Sequence, residues 1–207
     1  MAVTELAILH LKNAKEISPE IKSTLVSGAS AQASFSRYPV RLYTQIEDPS
    51  YIYLLGGWDS VSQHMDEWIP SPTNQNVMSA LLNEMEVFGM FHIDAEPQSE
   101  ERNISRDAPI MTLKRYIVEE AKKAEFGTAF TQLKDSLEDH TAPRTLRCGW
   151  RIDYPKDRNG MFEFIFLSDG ENIGERLLSL ETDGFKSLYV DDTSDGAIRY
   201  VRLLEST

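Results

Sequence analysis

The chain has 207 residues, of which 41% are hydrophobic and 26% are charged, a balance typical of globular proteins rather than of disordered or fibrous ones. Its 33 acidic and 21 basic residues give a formal net charge of −12, the wrong sign for binding nucleic acid or an anionic membrane surface. The single cysteine, Cys148, excludes an intramolecular disulfide and a zinc site built from several thiolates.

The composition also bears on the compartment. No apolar run approaches the roughly 20 residues of a membrane-spanning helix. Glu5 interrupts the amino-terminal segment where a secretory signal would need an apolar core. With only one cysteine, we expect a cytoplasmic protein without a membrane partner.

The first half of the chain predicts the order strand, helix, strand, strand, helix, strand. Ser18-Pro19-Glu20 provides a helix cap, a proline at the first helical position and an early acid. Ser60 with Gln63 forms a capping-box pattern at a second helix start. Apolar and alternating runs predict strands at 6–11, 40–46, 51–58 and 87–93, and helical spacing is found over 19–35, 61–68 and 77–85.

Residues 96–109 contain two prolines, six charges and almost nothing apolar, which is typical of a solvated connection. We therefore predict one unit over 1–95, a linker over 96–109 and a second unit over 110–207. The second unit repeats the order of the first. Its predicted strands are 110–118, 146–152, 161–167 and 198–204, with a helix over 121–137, another after a Ser168/Glu171 capping pattern, and a short extra strand at 185–190.

This order in duplicate predicts an α+β fold made of two tandem ferredoxin-like βαββαβ units. In such a unit the helices cover one face of an antiparallel sheet, so a second sheet must cover the other face. We expect the two sheets to pair as an α/β barrel, an intramolecular pseudo-dimer. Whether two chains also form a homodimer is left open.

Several enzyme motifs are missing, among them the Gly-rich nucleotide loops, the G-x-S-x-G elbow and H-E-x-x-H. The histidines His10, His64, His92 and His140 never stand four residues apart, so the chain has no helix-borne metal pair. His92 and Asp94 share a strand face, but a strand leaving the core for a polar linker explains them better. We predict no metal site.

Aromatic side chains and one histidine are concentrated where the third predicted strand meets the next helix. A histidine there can act as general acid or base because its reference pKa is about 6.5. A core histidine among aromatic residues would explain the same pattern without function. The residues of this corner are Tyr51, Tyr53, Trp58, His64 and Trp68.

Arg41, Tyr43 and Gln45 alternate along the second predicted strand and therefore share one face. An arginine and a tyrosine in a pocket could hold a phenolate or a carboxylate. An exposed sheet edge or a contact between the two sheets would account for them equally well.

Tyr53, Gly57-Trp58-Asp59-Ser60, His64, Trp68 and Ser71-Pro72, within this element order, resemble the antibiotic biosynthesis monooxygenase family of dimeric α/β barrels. The resemblance covers residues 6–93, and the second half shares only the topology. It implies a pocket between sheet and helices. Members include cofactor-free oxygenases of polycyclic phenols, haem-degrading enzymes and relatives with no known catalysis. Met78 stands where the haem-degrading relatives have a histidine ligand, so the resemblance implies no haem here.

The residue chemistry and the resemblance together predict a cofactor-independent enzyme whose partner is a phenolic or polycyclic, polyketide-like small molecule. The expected reaction is monooxygenation. The alternatives are a cyclase, isomerase or decarboxylase of the same fold, and a non-catalytic stress or assembly barrel. A pocket of about 300 Å³ or more with His64 at its wall would favour an enzyme.

The predicted catalytic residues are His64, Trp58, Tyr43 and Arg41, and the predicted substrate-binding residues are Trp68, Tyr53 and Asn74. His64 would deprotonate the substrate. Trp58 and Trp68 would stack on its ring, and Arg41 or Tyr43 would hold the resulting oxyanion.

Overall fold

The computed structural model describes residues 1–97, 110–141, 146–153, 160–170, 172–190 and 198–204, without the side chains of 139–141. Residues 98–109 of the predicted linker and Glu171 of the predicted cap lie outside the described residues. The chain divides into two compact units. The first comprises Met1–Asn103 and Val201–Thr207, and the second comprises Ile104–Tyr200.

The fold is α+β, and its strands pair antiparallel. The described elements are, in chain order, β1 (Val3–Leu11), α1 (Pro19–Ser36), β2 (Arg41–Gln45), β3 (Tyr51–Trp58), a π-helical segment (Gln63–Trp68), α2 (Pro72–Leu81), β4 (Met85–Ile93), β5 (Ile110–Glu119), a 3₁₀ turn (Glu120–Lys122), α3 (Lys123–Thr141), β6 (Arg147–Trp150), β7 (Met161–Asp169), α4 (Asn172–Leu180), α5 (Asp183–Lys186) and β8 (Arg199–Leu203). None of the described helices combines the length and apolarity needed to cross a membrane.

The helices of the first unit are capped by local contacts. α1 begins at Pro19 as the sequence predicts, whereas α2 begins at Pro72, five residues before the predicted helical spacing over 77–85. The Ser18 hydroxyl accepts the backbone N–H of Ile21 at 3.3 Å. The Ser71 hydroxyl accepts that of Asn74 at 3.2 Å, again with a proline next in the chain. Ser60 likewise accepts from the backbone of Gln63 at 3.0 Å. The segment after it is π-helical, a geometry often found at functional sites.

The sheet of the first unit has the order β4-β1-β3-β2 of a ferredoxin-like unit, with β1 in the centre. Residues directly opposite on neighbouring strands share a face. Glu5 lies opposite Gly56 on β3 and opposite His92 on β4. The side chain of Gln32 on α1 contacts Glu5, so this is the face that the helices cover.

The last strand of the chain extends this sheet. Val201 pairs with Gln45 and Leu203 with Tyr43, so the carboxyl-terminal part of β8 lies beside β2. The sequence predicts a strand here at 198–204, but alternation within a strand carries no information about its partner.

In the second unit β5 and β6 flank β7. Two local predictions differ from the structure. The expected cap at Ser168 is absent because β7 continues through Asp169, and Ser168 pairs with Thr112. The expected strand at 185–190 is instead the short helix α5, whose N-cap Thr182 accepts the backbone N–H of Phe185 at 3.2 Å.

Candidate functional site

A cavity of about 350 Å³ lies in the first unit between the sheet and the helices α1 and α2. Small side chains leave this space open, with Ala7 on the sheet side and Gly28 and Ala29 on the helix side. A Cβ atom at Gly28 would come within 2.8 Å of Val77 Cγ1, so glycine is what lets α1 approach α2 here. Aliphatic residues line most of the cavity, and its polar groups come from a few positions only.

The second unit differs at the face of its sheet that meets the helices. There Tyr116 packs against Phe126 and Phe130 of α3, and against Phe164 and Phe185, with ring centroids no more than 6.4 Å from its own. These large rings occupy the kind of space that Ala7 and Gly28 leave open in the first unit. The candidate site is therefore assigned to the first unit.

Glu5 is the carboxyl group at the polar end of the cavity. Its side chain is almost completely buried. Oε2 accepts two hydrogen bonds of 2.7 Å each, one from the indole N–H of Trp58 and one from the amide of Gln32. Both donors bind the same oxygen. The carboxyl orientation is thereby fixed, with Oε1 placed 3.6 Å from Nε2 of His64.

His64 and His92 form a buried pair next to this carboxyl group. Nδ1 of His64 lies 2.7 Å from Nε2 of His92, so a single proton is shared between these two nitrogens when both rings are neutral. If His92 is the donor, the proton of neutral His64 is on Nε2, which faces Glu5. Glu5, His64 and His92 thus form an array of three adjacent side chains, with a hydrogen bond between the two histidines and 3.6 Å between Glu5 and His64.

Trp58 contacts both Glu5 and His64. Its ring lies parallel to that of His64 within 10°, with 4.3 Å between centroids, while its N–H binds Glu5. Trp58 is fully buried behind His64 and does not line the cavity. Its geometry is that of a positioning residue.

Burial raises the pKa of Glu5 to about 7, and the rise is limited by the hydrogen bond from Trp58, the charge of His92 and the hydrogen bond from Gln32. A carboxyl group with this pKa is partly ionised at neutral pH. It can therefore accept a proton from a bound molecule and return it later, which is the requirement for general acid–base catalysis.

The structure brings some of the sequence-predicted site residues together. His64, Trp68 and Asn74 line the cavity. The Asn74 amide donates to the backbone carbonyl of Ile69 at 2.9 Å, which fixes the orientation of this side chain. The sequence predicts that Trp58 stacks on a substrate, whereas its stacking partner in the structure is His64.

The other predicted residues lie elsewhere. Arg41 pairs with Leu55, and Tyr43 pairs with Tyr53. Leu55 and Tyr53 are each one residue away from the β3 positions that face the helices. The side chains of Arg41 and Tyr43 therefore lie on the opposite face of the sheet. The Tyr53 hydroxyl donates to Gln45 at 2.8 Å on that face. Arg41, Tyr43 and Tyr53 do not line the cavity.

The sequence patterns do not single out Glu5, His92 or Gln32 as site residues. Glu5 precedes the predicted start of the first strand, although Glu5, Ala7 and Leu9 continue its alternation. The sequence predicts that the strand leaves the core at His92, but this side chain is fully buried and hydrogen-bonded to His64. Gln32 follows Leu25 by seven positions on α1 and so lies on the same buried helix face.

Comparison with known proteins shows the fold. No family model matches the chain, and no curated protein matches it significantly. A candidate chlorite dismutase superposes with a TM-score of 0.66 at 10% identity, over 99% of this chain and 95% of its own. A candidate monooxygenase from Fusobacterium nucleatum gives 0.65 at 11% identity, over 99% and 93%. The chain has the ferredoxin-like dimeric α/β-barrel fold. An anthrone oxidase-like protein has it too, with a TM-score of 0.61 at 7% identity over 98% and 92%.

The family that the sequence resembles includes haem-degrading dimeric α/β barrels, so the fit of haem to the cavity can be tested. An axial histidine needs a ring nitrogen directed at the iron. The Nδ1 atom of His64 is hydrogen-bonded to Nε2 of His92, and the Nε2 atom of His64 faces Glu5. The cavity therefore offers haem no suitably directed histidine. Over the described residues, no group of three or more His, Cys, Asp or Glu side chains is arranged to hold a metal ion.

Proposed function

We propose that the protein is a cofactor-independent oxygenase that deprotonates a phenolic or polycyclic small molecule bound in the first unit. The observation that carries this proposal is the position of Glu5 and His64 side by side in the wall of a mostly aliphatic cavity. The presence of a candidate monooxygenase and an anthrone oxidase-like protein among proteins of this fold supports it.

The cavity suits a planar aromatic molecule. Its volume of about 350 Å³ lies within the usual range for small-molecule sites, about 300–1,000 Å³. Aliphatic walls and the ring of Trp68 would bury the substrate, and the few polar groups would orient it. The substrate carbon or hydroxyl that loses a proton would point to Glu5.

In the first chemical step the ionised Glu5 carboxylate takes a proton from an acidic methylene group of the substrate, leaving a carbanion stabilised by the adjacent ring system. His64 and its partner His92 can share the proton, so that Glu5 returns to its ionised form. Trp58 and Gln32 keep the carboxyl group in place. No exogenous base is needed, because the pKa of Glu5 is about 7.

In the second step the carbanion reacts with dioxygen and forms a peroxide at the same carbon, which takes up the proton just removed. Loss of the second proton of that carbon breaks the O–O bond and produces a carbonyl group. The departing hydroxide takes up this proton as water. One oxygen atom enters the product and the other enters water, and the substrate supplies both electron pairs, so no reductant is consumed.

The same array also favours a reaction that stops at proton transfer. Glu5 and His64 lie side by side and could remove a proton at one substrate position and return it at another, as an isomerase or a cyclase requires. The two functions differ in oxygen demand, since only the oxygenase needs dioxygen.

The proposal is tested by incubating the purified protein with anthrone and 1-naphthol under air and under argon, following both oxygen uptake and product. We expect turnover under air, none under argon, and loss of turnover in Glu5→Gln. Glu67→Gln is the matched control, because it changes an exposed glutamate that does not line the cavity. Equal turnover under argon would identify a proton-transfer enzyme. Full activity in Glu5→Gln would contradict the role of this carboxyl group.

A further inference from the structure

A second chamber of about 420 Å³ adjoins the cavity of the first unit. It is called the outer chamber here, and the cavity next to Glu5 is the inner chamber. Five residues line both, namely Leu9, Gln75, Met78, Leu81 and Val87. Because the two chambers share these wall residues, they lie next to each other along the first unit.

The two chambers follow the axis of β1. Glu5 lies at the inner end, Leu9 at the junction and Lys12 at the outer end. A strand advances about 3.3 Å per residue, so the seven steps from Glu5 to Lys12 span about 23 Å. A fused two-ring molecule would occupy only part of such a length.

The chemistry of the wall changes along the same axis. At the junction the side chains of Leu9, Met78 and Val87 are apolar, and methionine adapts readily to ligands of different shape. The charged residues of the outer chamber are Lys12 and Glu86. Lys12 donates to the carbonyl of Leu82 at 2.7 Å and is exposed to solvent, which places a charged group at the outer end, opposite Glu5.

We infer that the natural substrate has a ring head that reaches Glu5 and an apolar tail that passes Met78 into the outer chamber. This assignment rests on the proposed function for the reactive end of the substrate. It adds that the outer chamber is a binding subsite selecting for tail length, with Met78 as the residue that controls passage between the chambers.

The test measures binding of para-alkylphenols, from ethylphenol to decylphenol, to the full-length protein by calorimetry under argon. Each methylene group that enters an apolar site should tighten Kd by about three- to fourfold. In wild type we expect this gain to continue beyond butylphenol, because the tail enters the outer chamber. In Met78→Trp the gain should stop at the shorter chains, because the indole blocks the junction.

Met65→Trp is the matched control, because Met65 and Met78 have the same exposed fraction, 39%, and Met65 lines neither chamber. This variant should retain the full dependence on chain length. A wild-type Kd that stops improving at butylphenol, or equal behaviour of the two tryptophan variants, would overturn the inference. Dependence on chain length without turnover of anthrone or naphthol would overturn the proposed reaction alone.

Discussion

The indole ring of Trp58 stacks on the imidazole of His64 with 4.3 Å between centroids, and the same indole donates its N–H to Glu5 at 2.7 Å. One fully buried side chain therefore sets the positions of two titratable groups. Trp58 thus has two roles that substitutions can separate, namely the packing of its ring on His64 and the hydrogen bond from its N–H to Glu5.

Trp58→Phe keeps an aromatic ring next to His64 and removes the hydrogen bond to Glu5. Because that bond lowers the pKa of Glu5, its loss should raise the pKa above about 7. We expect the rise of kcat/KM with pH to shift to higher pH in this variant, with little change in Kd for 1-naphthol. The check is a pH–rate profile for both proteins. An unchanged profile with a weakened Kd would instead make Trp58 a substrate contact.

Glu5→Gln should change how stability depends on pH. Between the ordinary value of 4.5 and about 7, the folded protein retains a proton on Glu5 that the unfolded chain has released. The folded state thus binds more protons, so its stability falls as the pH rises through this window. The full effect is about 3 kcal/mol.

Urea unfolding of wild type and Glu5→Gln at about pH 5 and about pH 8.5 measures this pH-dependent contribution of Glu5 to the free energy of unfolding. Relative to wild type, the variant should gain about 3 kcal/mol of stability between the two pH values. Glu67→Gln, an exposed change of the same kind, should show no such gain. A constant difference between wild type and Glu5→Gln would show that the pKa of Glu5 is not raised.

His64→Gln removes a group that can transfer protons near neutral pH and keeps a polar side chain of similar size. If His64 acts as acid or base, the rate should fall about 10²- to 10⁴-fold while the urea midpoint changes little. A purely structural His64 would give the reverse, a cost of about 1–3 kcal/mol and an unchanged rate per folded molecule. His10→Gln is the control, because His10 lines neither chamber.

Most of the local structure of the first unit is encoded in short segments, which is why it can be predicted. Ser18-Pro19 begins α1 at the predicted residue through a contact three residues apart. Ser71-Pro72 begins α2 through the same kind of contact, but the apolar spacing predicts that helix only from 77. The run over 51–58 that follows the predicted turn matches β3 at its observed bounds. The pairing of β8 with β2 joins residues far apart in the chain, and nothing in either strand alone specifies it.

The candidate site is less predictable for a related reason. An aromatic and histidine-rich corner can be recognised in the sequence, and His64 and Trp68 do line the cavity. Which face of the sheet a residue occupies depends on register, and this separates Tyr43 from Glu5. A single glutamate in an apolar strand belongs to no recognisable sequence motif. Its role becomes visible only when Gln32 and Trp58 are seen to bind one of its oxygens.

Ala7→Leu tests whether the inner chamber is the binding site. Ala7 is buried on β1 and lines this chamber, so a leucine side chain would fill space that a ligand needs. We expect Kd for 1-naphthol to weaken by at least about 100-fold, with stability unchanged or raised by about 1 kcal/mol through the added apolar contacts. Ala33→Leu, on α1 and outside both chambers, should bind as wild type does. Unaltered binding in Ala7→Leu would place the ligand elsewhere.

Lys114→Met tests the contrasting role of the second unit. The buried Lys114 ammonium lies 2.6 and 2.8 Å from the two oxygens of Glu181, which also accept the hydroxyls of Tyr116 and Tyr189. Removing the lysine leaves a buried carboxylate without its cation, so we expect a loss of about 3–5 kcal/mol in urea unfolding.

Replacing both partners, Lys114→Met with Glu181→Leu, should recover part of this loss because no unpaired charge remains buried. The turnover of each folded molecule should match wild type in both variants, since the proposed chemistry involves residues of the first unit only. A selective loss of turnover at unchanged stability would instead show that the Lys114–Glu181 pair takes part in the reaction.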